Sequence, residues 1–183
     1  MTTKSELVSQ LQIEIKPLEQ KDVELFDPIL RQHIRNRDTG VILEDEIQKT
    51  KDYMRGGIDD NGRIRKYFVA KSVDGRVLGC MAYTNMDTDM VKHFSDLNPE
   101  ETVELVNAFV DSELFHGGGI GRKLFNIICD STRTEGKKYL TLNSGPRYKA
   151  SWGFYDHVCD ENRGFIIEKF GPGGDANTWL KKL

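Results

Sequence analysis

Between His116 and Arg122 the chain reads Gly117-Gly118-Gly119-Ile120-Gly121, four glycines in five residues. Residues without a Cβ let backbone N–H groups close in on an anion. A helix starting at once behind them adds partial positive charge, so the segment reads as a cradle, with pyrophosphate its usual occupant. Two familiar phosphate loops do not fit. A Walker A loop ends in Gly-Lys-Ser/Thr, and here Gly121 is followed by Arg122-Lys123. The dinucleotide fingerprint Gly-x-Gly-x-x-Gly follows a first strand, whereas Gly117-x-Gly119 leads to Arg122 at the third glycine position, late in the chain. Cys80, Cys129 and Cys159 are widely spaced with no Cys-x-x-Cys pair, which supports neither a zinc ribbon nor a disulfide framework. His33, His93 and His157 form no metal spacing, so no metal is expected. Cys80 sits among apolar neighbours and reads as core, and Cys159 lies in a polar stretch with nothing strongly basic beside it.

The elements that would carry this loop are readable from periodicity. Leu11 to Leu18 alternates like a strand. From Gln20 to Asn36 Val23, Phe26, Leu30 and Ile34 share a helical face, with Pro28 set to kink or split it. A second helix runs from Leu43 to Arg55 and ends at Gly56-Gly57. Arg65 to Ser72 and Arg76 to Asn85 form a hairpin across Val73-Asp74-Gly75. An acidic loop, Met86 to Glu101, leads to a strand at Thr102 to Val110 and then to the glycine loop. The helix behind the loop is expected to bury Ile120, Leu124, Ile127 and Ile128, with Ser131 next in the series, and to stop at Gly136. Tyr139 to Asn143 reads as a strand, Arg147 to Val158 as a helix and Gly164 to Phe170 as a strand, before a short tail containing Trp179. The order β-α-α-β-β-β-α-β-α-β, with no repeats and no linker, gives an α/β (α+β) fold: one domain over 1–183, residues 1–10 a flexible N-terminus, a mixed central sheet of six to seven strands and about four helices.

The stretch from Val110 through His116 to Phe125 resembles the acetyl-CoA signature of the GNAT superfamily, Arg/Gln-x-x-Gly-x-Gly/Ala, which lies between that fold's fourth strand and third helix. His116 stands at the Arg/Gln place, Gly119 and Gly121 at the glycine places, Ile120 and Leu124 at apolar helix places. The element order follows the family over roughly residues 11–170, the residue-level likeness over about 102–165. The resemblance implies a GNAT fold and an N-acetyltransferase that moves the acetyl group of acetyl-CoA to a primary amine by direct attack. It implies a pyrophosphate site from His116, Gly117, Gly118, Gly119, Ile120, Gly121 and Arg122. It also implies a pantetheine arm paired with the backbone of Phe109 and Val110, with Asn143 placed to bond that arm or the substrate. Ala150-Ser151-Trp152-Gly153-Phe154-Tyr155 resembles the family's small-x-x-aromatic-Tyr segment and makes Tyr155 the acid for the departing thiolate. Tyr148 is the rival, and Cys159 to Arg163 reads as an inserted turn. A tyrosine of pKa near 10 is protonated at neutral pH and can donate to a thiolate. Glu104 on the fourth strand is the candidate base, acting through a water, with Asp87 and Glu113 as alternatives.

Composition narrows the partners. Lys+Arg number 26 and Asp+Glu 29 in 183 residues, a net charge of −3, which argues against a general nucleic-acid binder. The start has no signal-peptide character and no stretch has the length of a membrane span, so a cytoplasmic protein is expected. Its partners would be acetyl-CoA, an amine acceptor and a second copy in a homodimer, without nucleic acid or membrane. Two other readings stay open: an acyl-CoA-binding module without catalysis, and a nucleotide binder using the same loop. The acceptor is also open. Asp87, Asp89, Asp96, Glu100, Glu101 and Glu104 would attract a cationic amine, whereas Arg31, Arg35, Arg37, Arg63 and Arg65 would favour a carboxylate-bearing acceptor.

Overall fold

The computed structural model describes residues 12–114 and 119–183. The N-terminal residues expected to be flexible lie outside that range. Seven strands form one mixed sheet in the order β1-β2-β3-β4-β5-β7-β6. They are β1 (Ile13–Pro17), β2 (Lys66–Ser72), β3 (Val77–Thr84), β4 (Thr102–Val110), β5 (Tyr139–Ser144), β6 (Glu161–Ile166) and β7 (Ala176–Lys182). Five α-helices occur among the described residues, one more than expected: α1 (Asp27–His33), α2 (Glu44–Gly56), α3 (Thr88–His93), α4 (Ile120–Thr134) and α5 (Trp152–Val158). No helix among these residues is long and apolar enough to cross a membrane. The chain divides into two compact units, one of residues 1–82 and 107–128, the other of residues 83–106 and 129–183.

In the first unit β1 pairs antiparallel with β2 from Ile13↔Ser72 to Pro17↔Phe68. Pro28 splits the first helical stretch. A 3₁₀ helix covers Gln20–Phe26, and α1 restarts with Pro28 in its first turn, where the missing N–H has no intrahelical partner to lose. The predicted face, Val23, Phe26, Leu30 and Ile34, is buried. Helix α2 closes at Gly57 in a left-handed C-cap, φ 65°. Helix α4 buries Ile120, Leu124 and Ile128 as expected, but Phe125 rather than Ile127, which is 36% exposed. The row Ile120–Leu124–Ile128–Thr132 drifts round the helix at i, i+4 spacing. Phe125 and Cys129 flank it on the side away from Ile127.

The second unit holds the larger departures. The acidic stretch is not all loop. Asp87 caps α3, its Oδ1 accepting from Met90 N at 2.8 Å, and Met90 and Phe94 are buried. The predicted Arg147–Val158 helix breaks into a 3₁₀ segment, Pro146–Ser151, and α5, with non-helical angles at Tyr148 (φ −107°, ψ 24°). Residues 161–163, read as part of an inserted turn, begin β6. The tail around Trp179 is β7, antiparallel to β5 over all six residues of β5 and to β6 on its other side. Its buried polar residues hid it. Asn177 and Thr178 break the apolar alternation, while Thr178 Oγ1 is satisfied by Gly164 O at 2.8 Å and His93 Nε2 at 3.0 Å.

Candidate functional site

Strand β4 runs to Val110, but its parallel pairing with β5 extends only from Thr102↔Tyr139 to Leu105↔Leu142. Two residues beyond that limit, Asn107 adopts a left-handed conformation, φ 50°. The last part of β4 therefore carries backbone groups outside the register with β5. Its other side is closely packed. A Cβ at Gly79 would lie 2.7 Å from Phe109 O and 3.0 Å from Val110 Cα, so only glycine lets β3 approach there. Phe109 and Val110 are buried.

Several residues not singled out above as site residues fix this end of β4. His33 Nε2 lies 2.7 Å from Val110 O, and its ring is 5.8 Å from that of Phe109. Gln32 accepts from Ser112 N at 2.8 Å and donates to Asp111 Oδ1 at 3.3 Å. Asp111 N donates to Leu78 O, and its carboxylate takes Arg76 Nη2 at 2.6 Å and Glu113 N at 3.1 Å. Glu113 itself is exposed. Gln32 and Asp111 are 79 positions apart, so no local pattern could have shown the contact.

Asn107 is held from the start of β2 and the residue just before it. Arg65 Nη1 and Tyr67 OH, the latter at 3.0 Å, both donate to Asn107 Oδ1. Arg65 Nη2 reaches Asp59 Oδ2 at 3.0 Å, Arg63 Nε reaches the same oxygen at 2.9 Å, and the Arg65 guanidinium stacks over Tyr53 at 4.6 Å. The Arg65 side chain is 10% exposed and that of Asp59 2%.

Beyond β4 lies the glycine loop. His116, Gly117 and Gly118 fall outside the described residues. Gly119 has φ 60° with no atom of the described residues within 4 Å of a Cβ placed on it, and its carbonyl takes Lys123 N at 2.9 Å. Ile120 begins α4 and is buried, Gly121 is half-buried and Arg122 is exposed. A left-handed glycine leading straight into a fifteen-residue helix leaves first-turn N–H groups facing forward from the helix end, the arrangement an anion needs.

In the second unit Glu104 is 2% exposed, and both its oxygens are engaged. Oε1 accepts from Asn143 Nδ2 at 2.8 Å and Oε2 from Asp87 N at 3.0 Å. Two of the proposed residues, Glu104 and Asn143, thus form a pair, and Asn143 spends an amide N–H on the carboxylate. Asp87, an alternative base, ion-pairs with the buried ammonium of Lys169 at 2.7 Å. Others of the acidic stretch also have cationic neighbours: Asp89 lies 3.8 Å from the same Lys169, Asp96 pairs with Arg163 at 2.7 Å and Glu101 with Lys138 at 2.6 Å.

Tyr155 is 7% exposed and packs on Trp179 and Phe154, ring centroids 5.3 and 5.4 Å away. Burial pushes its phenol well above the ordinary value, so it keeps its proton at neutral pH. Tyr148 is half-buried at the kink, with Arg147 at 5.8 Å from its ring. The cysteines are neutral thiols. Burial pushes Cys80 up to about 12, Cys129 to about 11 and Cys159 to about 12, which makes none of them a nucleophile. No group of three His, Cys, Asp or Glu among the described residues could hold a metal ion.

The sequence matches the model of the Acetyltransferase (GNAT) family over residues 29–160. No curated protein sequence matches it. Solved structures share the fold at low identity. A GNAT-family acetyltransferase from Staphylococcus aureus Mu50 aligns with TM-score 0.64 at 14% identity, covering 93% of this chain and 99% of its own. The PaiA N-acetyltransferase of Thermoplasma acidophilum, in complex with coenzyme A, aligns with TM-score 0.63 at 18% identity, covering 94% and 100%. A spermidine N-acetyltransferase from Vibrio cholerae aligns with TM-score 0.63 at 16% identity, covering 93% and 94%.

Proposed function

The chain belongs to the GNAT acetyltransferase family, and on that premise we propose that it transfers the acetyl group of acetyl-CoA to a primary amine, working as one domain over its whole length. The observation that carries the reading is the departure of β4 from its β5 register after Leu105, followed by a glycine turn into α4. An extended acyl-pantetheine arm needs a strand end released from its neighbour's register to lie along, and a pyrophosphate needs the N–H groups of a helix N-terminus. Phe109 and Val110 would pair with the arm, and Gly119 to Arg122, with His116 to Gly118 before them, would take the pyrophosphate.

In the reaction the acceptor ammonium gives one proton through water to Glu104. The neutral amine attacks the thioester carbonyl, whose π pair moves to oxygen. Loss of the second nitrogen proton and collapse of the tetrahedral carbon break the C–S bond. The thiolate leaves with the proton of Tyr155, which is then replaced from the acceptor nitrogen, so one proton is released overall. The raised pKa of the phenol keeps it protonated until the thiolate departs. A second reading is a non-catalytic acyl-CoA-binding module, favoured by the two donors already resting on Glu104.

Release of free CoA thiol from acetyl-CoA, followed across a panel of polyamines, amino acids and peptide amines, separates the two. Turnover is expected, with Tyr155→Phe lowering kcat by about 10²–10⁴-fold at unchanged acetyl-CoA affinity and Tyr148→Phe having little effect. Acetyl-CoA binding without thiol release from any acceptor would favour the module. Loss of rate in Tyr148→Phe alone would move the acid to that residue.

A further inference from the structure

We propose that the side-chain amide of Asn107 donates a hydrogen bond to the acyl oxygen of the bound thioester, with Arg65 as the residue that positions it. The proposal rests on the acetyl-CoA reading above. Asn107 Oδ1 faces a guanidinium N–H of Arg65. Arginine only donates, so the atom facing it must be the amide oxygen, and the NH₂ group is turned the other way. Tyr67 OH bonds the same oxygen, which leaves Nδ2 without a partner among the described residues. Asn107 is half-buried, so this donor is not sealed in the core.

Its backbone has a matching peculiarity. Left-handed φ in mid-strand costs free energy for any residue but glycine, and asparagine tolerates it best among the rest. Such strain persists where the surroundings enforce it, here the Arg65 and Tyr67 contacts. An arm that starts at the glycine loop and runs back along β4 past Val110, Phe109 and Ala108 would reach Asn107 at its reactive end. Arg63 and Arg65 both pair with the carboxylate of Asp59, which holds the Arg65 guanidinium in place beside Asn107. Donation by Arg65 into Oδ1 also polarises the amide and strengthens its N–H donors. When the amine attacks, the carbonyl π pair moves onto the acyl oxygen, which accepts from Nδ2. The pair returns as the C–S bond breaks and the thiolate departs.

Asn107→Gly keeps the left-handed backbone without the donor. Asn107→Asp keeps the pairing with Arg65 and replaces the donor by an acceptor. Both are compared with the unchanged chain by calorimetry with acetyl-CoA, by thiol release, and by the isotope-edited infrared band of bound acetyl-CoA labelled with ¹³C at the thioester carbonyl. The unchanged chain is expected to show a carbonyl band lowered relative to free acetyl-CoA. In both variants the band should return toward the free value and kcat should fall by about 10²–10³-fold, the usual loss for one oxyanion donor. Arg65→Met, which frees the amide to turn, should give an intermediate band. A band that stays in place in a folded, acetyl-CoA-binding Asn107→Gly overturns the proposal alone. No binding of acetyl-CoA by the unchanged chain overturns the cofactor reading and the proposal with it.

Discussion

His33 points its Nε2 at the carbonyl of Val110. A carbonyl only accepts, so that nitrogen carries the proton, and burial lowers the pKa of the ring, which is therefore neutral at pH 7. The sign for stability follows. The folded pKa lies below the unfolded value near 6.5, so the unfolded chain takes up the proton first. The stabilising contribution is present above that value and is lost as pH falls through it. The denaturation midpoint should therefore drop between pH 7 and 5.5. His33→Gln, which keeps a donor for Val110 O but cannot titrate, should show a flatter profile, and equal slopes would remove His33 from the account. At this scale sequence reading was uneven. Tyr155 was named on the family resemblance and Glu104 on its place in β4, and both are buried. His33, Gln32, Arg65 and Asp111 act through partners tens of positions away, and spacing carries no trace of that.

Strand β4 was legible to its bounds, because Thr102 to Val110 is a β-prone, largely apolar run closed by Asp111 and the polar turn behind it. What sets its last residues apart was not. The left-handed Asn107 looks like any strand residue in the sequence, and Gly79 looks like a weak point in β3. Its function is close approach: an added methyl would press on the backbone of Phe109 and Val110, which cannot rotate away. Gly79→Ala should cost about 1–3 kcal/mol as overpacking and lower the unfolding midpoint by about 2–12 °C. It should also weaken acetyl-CoA binding about tenfold or more, a shift of at least 1.4 kcal/mol, by displacing the strand the arm lies on. An unchanged midpoint and affinity, by calorimetry, would mean the strand has more room than the backbone distances allow. Strand β7 escaped detection for the opposite reason. It is flanked by strands on both sides, so its polar residues are satisfied inside the sheet and the alternation that marks a half-exposed strand is missing.

At the scale of the whole molecule the family is legible in the sequence and the acceptor is not. The acidic run from Met86 to Glu101 looked like a field for cationic acceptors. Lys169, Arg163 and Lys138, all distant in sequence, pair with Asp87, Asp96 and Glu101 of that run. The central claim is that the scaffold holds acetyl-CoA through β4 and the glycine turn, and thermal unfolding tests it directly. Acetyl-CoA at about 100 times its Kd should stabilise the fold by about 2.7 kcal/mol and raise the midpoint by roughly 5–11 °C, while NAD and ATP at the same concentration leave it in place. A midpoint unmoved by acetyl-CoA, or moved equally by NAD or ATP, would contradict the account.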